Sequence, residues 1–173
     1  MADVLVTGAF GVFGNQVLRR LGKEGIRPGG MSRNPDISVV RDVADSIDVA
    51  RGDVTSLLDL LQAIKQHKVR RIIHAANLIG EAEAKPYQGF AVGGLGTANV
   101  LEAARLMDIE RLVFTSSKGA YGLITGGEHA FPKYVPVRED HIRNPEYDSI
   151  YAACKVLGEN LGWAYHDKYG LEF

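Results

Sequence analysis

The chain has 173 residues, the length of one domain and enough to bury a core without disulfide or metal staples. Its 20 lysines and arginines against 21 acids give a net charge of −1, which leaves no bulk case for nucleic acid or an anionic membrane as partner. Cys154 is the single cysteine, so an intrachain disulfide framework and an all-cysteine metal cage are excluded.

Glycine, at 20 residues, exceeds its ordinary share of about 7% and implies positions where backbone geometry demands it. The opening MADVLVTG carries no basic segment ahead of an apolar stretch, and no run approaches the roughly 18 apolar residues of a spanning helix. A soluble, cytoplasmic protein is the expectation.

Val4 to Thr7 has the pattern of a short buried strand. Phe13, Val17, Leu18 and Leu21 then recur at helical spacing. Ile26 to Ser32 reads as a second strand weakened by Pro28, Gly29 and Gly30. Asp48 to Ala50 is a weak third strand. Ser56 to Gln66 is a helix with Leu57, Leu60, Leu61 and Ile64 on one face. Arg71 to Ala75 is a fourth strand, Tyr87 to Met107 one long helix, and Arg111 to Ser116 a fifth strand. Gly119 to Asn144 reads as a long loop, whose part from Leu123 to Tyr134 is expected to help read a substrate. Ser149 to Tyr169 is a last helix, and Leu171 to Phe173 the start of another strand.

Strands alternating with helices, with no tight hairpin signal between them, predict a doubly wound parallel sheet of Rossmann-like type. Residues 1–173 read as one domain of this kind. Such a sheet binds its ligand at the carboxyl ends of its strands, near the switch in strand order.

Gly8, Gly11 and Gly14 form G-x-x-G-x-x-G between the first strand and the first helix. The first permits a sharp turn, the second lets backbone approach a pyrophosphate, and the third lets the helix pack closely on the sheet. The helix start then offers N–H groups and partial positive charge to phosphates. At the end of the second strand stand Ser32 and Arg33, where an NAD site commonly has an acid; an arginine pairs instead with a 2′-phosphate, which favours NADP over NAD. Asp53 is read either as a contact to adenine or as the N-cap of the following helix.

Tyr151 and Lys155, four apart, share one face of the last helix. A tyrosine phenol is a poor base at neutral pH, and a neighbouring ammonium favours its ionised form. Ser116 and Ser117 end the fifth strand, where a hydroxyl can hold a substrate oxygen. The five histidines show no ligand spacing, so no metal site is predicted. Cys154 reads as a packing residue; Trp163 and Tyr165 belong either to the core or to a partner surface.

The segments VTGAFGVFG, RGDV, IIHAAN, GTANVLEAAR, LVFTSSKGAYG and YAACK together resemble the NAD(P)-dependent epimerase/dehydratase family of extended short-chain dehydrogenases/reductases. The resemblance runs the length of the chain. It implies hydride exchange with a hydroxyl- or carbonyl-bearing carbon of a sugar, sugar nucleotide or similar small molecule. The roles it implies are Tyr151 as general acid/base, Lys155 as its partner and a ribose ligand, and Ser117 as the substrate-orienting hydroxyl. The cofactor-binding set becomes Gly8, Gly11, Val12, Phe13, Gly14, Ser32, Arg33, Asp53, Val54, Ala75, Ala76, Asn77, Thr115, Tyr151 and Lys155.

It also implies a homodimer through the helices around 97–107 and 149–169. Gly93 stands where the family often has Asn, and Lys118-Gly119 where dehydratases carry an acid pair, which disfavours dehydration. Family members add a sixth strand and a C-terminal substrate lobe after the point matching Phe173, so such a lobe is expected to be absent here. The alternative reading is a non-catalytic or truncated dinucleotide-binding module.

Overall fold

Every residue of Val4–Thr7 (β1) is buried, as a strand covered on both faces must be. In the computed structural model, which describes residues 2–122, 129, 133–142 and 149–173, β1 is the central strand of a five-stranded sheet. The others are Pro28–Ser32 (β2), Asp48–Arg51 (β3), Arg71–His74 (β4) and Arg111–Phe114 (β5). All pairings are parallel, in the order β3-β2-β1-β4-β5. The chain builds outward from β1 to β3, then returns to add β4 on the other side. The switch in strand order therefore falls between β1 and β4.

The period of two along β1 sorts its side chains to two cores. Leu5 packs with Leu60, Ile64, Ile72, Val100, Leu101 and Leu112, beneath the helices Leu57–His67 (α2), Gly96–Leu106 (α4) and Ile150–Tyr169 (α5). Val4 and Val6 pack with Leu18, Val40 and Ile47, beneath the helix Gly14–Lys23 (α1) and a 3₁₀ segment, Ile37–Ser46. No helix among the described residues is long and apolar enough to cross a membrane.

Three elements differ from the sequence reading. Ile37–Ser46 has no clean helical period and carries no element in that reading; the Asp36 carboxylate caps it by accepting from Ser38 N. The long helix expected from Tyr87 to Met107 is present as Pro86–Phe90 (α3) and α4, continuous through right-handed helical φ/ψ at both junctions, and the unexpected feature is the π-turn at Ala91–Leu95 between them. The strand expected at Leu171–Phe173 is a single bridge, Glu172 to Arg111. Most of the expected loop from Leu123 to Tyr134 lies outside the described residues. What is described of the wider loop opens with a 3₁₀ turn at Lys118–Tyr121.

β2 forms despite its weak sequence signal. Proline occupies its first position, where a missing N–H is tolerated. Its glycines sit under close neighbours: a Cβ on Gly29 would lie 3.3 Å from Leu5 Cδ1, and one on Gly30 would lie 3.2 Å from Ala9 Cβ and Phe10 Cζ.

Candidate active site

β1 ends in Gly8, whose φ of +65° belongs to the left-handed region. A Cβ there would also stand 2.6 Å from Ala76 Cα, so the first turn and the end of β4 touch at the switch point. Gly14 is required for a different reason: its Cβ would fall 2.2 Å from the Gly8 carbonyl oxygen, so α1 starts directly on the turn. No side chain caps α1 and no acid occupies its first turn. Asn15 N and Gln16 N already donate to the Gly11 and Phe13 carbonyls, so what this helix start offers an anion is chiefly its uncompensated dipole.

Around this turn opens a cleft of about 310 Å³. Among the cofactor-binding residues read from the sequence, Gly8, Gly11, Val12, Phe13, Gly14, Ser32, Arg33, Asp53, Val54, Ala75, Ala76 and Asn77 line it; Thr115, Tyr151 and Lys155 do not. The sequence reading missed Met31, Gly52, Leu78, Ile79 and Val92 in its wall. Leu78 and Ile79 carried a usable signal, an apolar pair just beyond a central strand. Gly52 lies close against Met31, whose Cε a Cβ there would approach to 2.5 Å and displace.

Asp53 is not the N-cap of α2. Ser56 holds that place, accepting from Asp59 N, while Asp53 closes the turn before it by accepting from the N–H and hydroxyl of Thr55 at 2.9 Å each. The second Asp53 oxygen lies 3.8 Å from Arg33 Nε, an exposed pair worth about 0–1 kcal/mol.

A second cluster gathers where α5 begins, beside the end of β5. Ser149 caps α5 by accepting from Ala152 N at 3.1 Å. The Glu83 carboxylate, from the segment after β4, accepts from Ser149 Oγ, Ile150 N and Tyr151 N at 3.1, 3.0 and 3.3 Å. These bonds, the one from Ile150 N foremost, hold its carboxyl below the usual range.

One turn on, the buried Lys155 ammonium lies 4.7 Å from the Phe114 ring centroid and 5.5 Å from that of Tyr151, and donates to the Thr115 carbonyl. Burial lowers its pKa to about 8. Ser117 Oγ accepts from Gly119 N at 3.1 Å, which leaves its proton to donate. A Cβ on Gly119 would meet Ala152 Cβ at 3.5 Å, so the turn after Ser117 rests on the first turn of α5.

Beneath both clusters runs a buried polar chain with no counterpart in the sequence reading. Thr97 Oγ1 donates to the Gly93 carbonyl at 2.6 Å and therefore accepts from His74 Nε2 at 3.1 Å. His74 Nδ1 then accepts from the Thr7 hydroxyl at 2.7 Å. This order fixes a neutral imidazole with its proton on Nε2. Burial, then the charge of Lys155, pushes the His74 pKa down to about 3.

Gly93 in the π-turn faces Cys154, whose Cβ a methyl there would approach to 3.0 Å. Cys154 is buried, and burial pushes its thiol pKa up, as suits a packing residue. Trp163 is half exposed against the edge of Phe173, and Tyr165 donates to Glu102 on α4 at 3.0 Å.

Residues 4–173 match the model of the NAD dependent epimerase/dehydratase family. The putative UDP-glucose 4-epimerase of Methanocaldococcus jannaschii is 29% identical, over 98% of this chain and 53% of that protein. The L-arabinose 1-dehydrogenase (NAD(P)(+)) of Haloferax volcanii is 31% identical, over 99% of this chain and 64% of its own.

Among solved structures, UDP-glucose 4-epimerase from Thermus thermophilus in complex with NAD superposes with a TM-score of 0.83 at 26% identity, covering 97% of this chain and 52% of that one. The Brucella ovis UDP-glucose 4-epimerase in complex with NAD gives 0.82 at 25% identity, covering 99% and 50%. The chain thus spans about half the length of most relatives it matches. With its glycine turn set at the switch point of a five-stranded parallel sheet, the chain belongs to the NAD dependent epimerase/dehydratase family.

Proposed function

We propose that residues 1–173 form one dinucleotide-binding domain carrying the acid/base pair of an NAD(P)-dependent oxidoreductase or epimerase. Its substrate is a hydroxyl- or carbonyl-bearing carbon of a sugar, sugar nucleotide or similar compound. The observation that carries this reading is the glycine-turn cleft between β1 and β4, with Tyr151 and Lys155 presented on α5 beside the end of β5. The names of the relatives, sugar-nucleotide epimerases and a sugar dehydrogenase, support the substrate class.

The cleft fits the cofactor on its own geometry. Bare backbone at Gly8, Gly11 and Gly14 and an uncapped helix start suit a pyrophosphate. A bound nicotinamide dinucleotide supplies the hydride donor or acceptor. Tyr151 takes a proton from the substrate hydroxyl at its phenolic oxygen, or returns one to the carbonyl. Lys155 places positive charge beside that ring, its ammonium oriented by Thr115. The Ser117 hydroxyl donates to the substrate oxygen and holds it in place.

NADP is the preferred cofactor in this reading, because Arg33 rather than an acid follows β2. A homodimer through α4 and α5 belongs to the same reading. Leu106, Leu157 and Tyr169 leave apolar surface exposed on these helices. Sedimentation equilibrium is expected to return twice the chain mass; a monomer at all concentrations removes this element.

The reading is tested by titrating the chain with NADPH and NADH, followed by fluorescence, and then screening hydride transfer over sugars and nucleotide sugars. NADPH is expected to bind about tenfold more tightly, and Arg33→Ala to narrow the gap. Equal affinities in the unmodified chain sink the role of Arg33. Binding with no turnover across the panel supports instead a dinucleotide-binding module without catalysis, a second reading favoured by a cleft whose wall does not include Thr115, Tyr151 or Lys155.

A further inference from the structure

Ile150, Tyr151 and Ala152 open α5, and their N–H groups have no acceptor inside the helix. Ser149 serves the start locally: its hydroxyl oxygen accepts from Ala152 N and its carbonyl from Ala153 N at 3.0 Å. The other two N–H groups are served from a distance. Ile150 N and Tyr151 N donate to the two oxygens of Glu83, across 67 and 68 residues of chain.

Glu83 stands at the far end of a short strap that starts in the glycine-turn cleft. Leu78 and Ile79 line that cleft. Gly80, with φ +78°, turns the chain away from it. Ala82 is buried against Gly89 of α3, where a Cβ would stand 2.8 Å from that of Ala82. Lys85 N donates to the Glu81 carbonyl at 2.9 Å, which closes a helical turn around Glu83. The acid is therefore carried on a fixed backbone. The first turn of α5 is held on one side by this strap and on the other by the turn after Ser117, which meets it at Ala152.

We propose that Glu83 is a positioning residue for Tyr151, fastening the first turn of α5 to the segment that walls the dinucleotide cleft. The proposal rests on the assignment of Tyr151 above and adds a residue to it. Glu83 touches no reacting atom; it binds the amide of Tyr151, not the phenol. Tyr151 is the second residue of α5, so this bond acts on the residue that carries the ring. Lys155 is anchored separately, by the Thr115 carbonyl, so loss of Glu83 frees Tyr151 relative to Lys155. Glu83 is exposed, and an exposed carboxylate at a helix start adds only modest stability. Placement is the larger consequence, because misplacing a reacting group by about 1 Å can cost about 10²-fold in rate.

The test reads the Tyr151 ring directly and needs no substrate. With carbon-labelled tyrosine, the ring resonance of Tyr151 is the one missing from Tyr151→Phe, and NADPH is titrated against the chain. NADPH is expected to shift this resonance in the unmodified protein. Glu83→Ala is expected to lose most of the shift at saturation while NADPH affinity stays within about twofold. Glu83→Gln keeps a carbonyl oxygen for one N–H and is expected to restore part of it. Ser149→Ala removes a cap from the same helix but leaves Ile150 N and Tyr151 N on Glu83, and is expected to keep the shift. On any substrate the chain turns over, Glu83→Ala is expected to lower kcat about 10- to 100-fold with KM nearly unchanged. In the Tyr151→Phe background the same change is expected to cost less than about twofold, because it acts through the phenol.

A full shift in Glu83→Ala overturns the role of Glu83 and leaves Tyr151 its own. So do equal losses of shift in Glu83→Ala and Ser149→Ala, which reduce Glu83 to a cap, and rate losses that multiply in the double variant. NADPH that binds the unmodified chain without moving the Tyr151 resonance overturns the assignment of Tyr151, and Glu83 with it. A chain that binds neither NADPH nor NADH overturns the dinucleotide reading on which both stand.

Discussion

Tyr151→Phe is expected to lower hydride transfer by about 10²- to 10⁴-fold on any substrate the unmodified protein turns over, the usual span for removing a general acid/base. Almost everything else at the site survives the change. The ring remains to meet the Lys155 ammonium, which lies 5.5 Å from its centroid. The cap of α5 is untouched, because Glu83 and Ser149 bind backbone N–H groups rather than the phenol. Dinucleotide affinity is therefore expected to stay within about twofold, and the loss to appear in kcat. Steady-state rates together with a fluorescence titration of both proteins check this. A variant that binds normally and turns over at the original rate ends the assignment of Tyr151. A variant that loses binding and rate together points instead to a positioning role.

The parts of this site that were legible in the sequence are those where backbone geometry restricts residue choice. Gly8 and Gly14 stand out because no other residue fits a left-handed turn against Ala76 or a helix start against a carbonyl oxygen. The same logic worked against β2. Its Pro-Gly-Gly reads as a breaker, yet its glycines lie in tight contact with their neighbours, where added Cβ atoms would stand 3.2–3.4 Å from Leu5, Ala2, Ala9 and Phe10 side chains. Local propensity yields to close packing at the centre of a sheet.

The contacts that escaped are long-range. Glu83 meets the start of α5 across 67 residues, and His74 joins Thr7 across the same separation. No spacing rule connects such pairs. The reading of Asp53 stayed open for a related reason. A turn aspartate and a helix N-cap differ by which amide they accept, and Ser56, three residues on, is equally fit for the second role.

The buried position of His74 carries its own consequence for acid stability. In the native chain its pKa is depressed to about 3, whereas in an unfolded chain histidine titrates near 6.5. Between these values the unfolded state binds the extra proton, so stability rises with pH across that window. The contribution is fully present above about pH 6.5 and is lost as pH falls toward about 3. It reaches about 5 kcal/mol in all, at a slope approaching about 1.4 kcal/mol per pH unit.

The proton has nowhere to go in the fold. His74 Nδ1 accepts from Thr7, Nε2 already donates to Thr97, and the buried Lys155 ammonium opposes a second charge. Urea unfolding measured from pH 7 to pH 4 reads the effect, with His74→Gln as the comparison. At pH 7 the variant is expected to be less stable, because Thr7 and Thr97 lose a matched partner. Its stability is expected to fall with acid by about one proton less, so the two curves converge as pH drops. Carboxylates titrate alike in both proteins and cancel in the difference. Curves that stay parallel from pH 7 to pH 4 show that His74 accepts its proton within the native chain, and refute a locked neutral imidazole beneath the site.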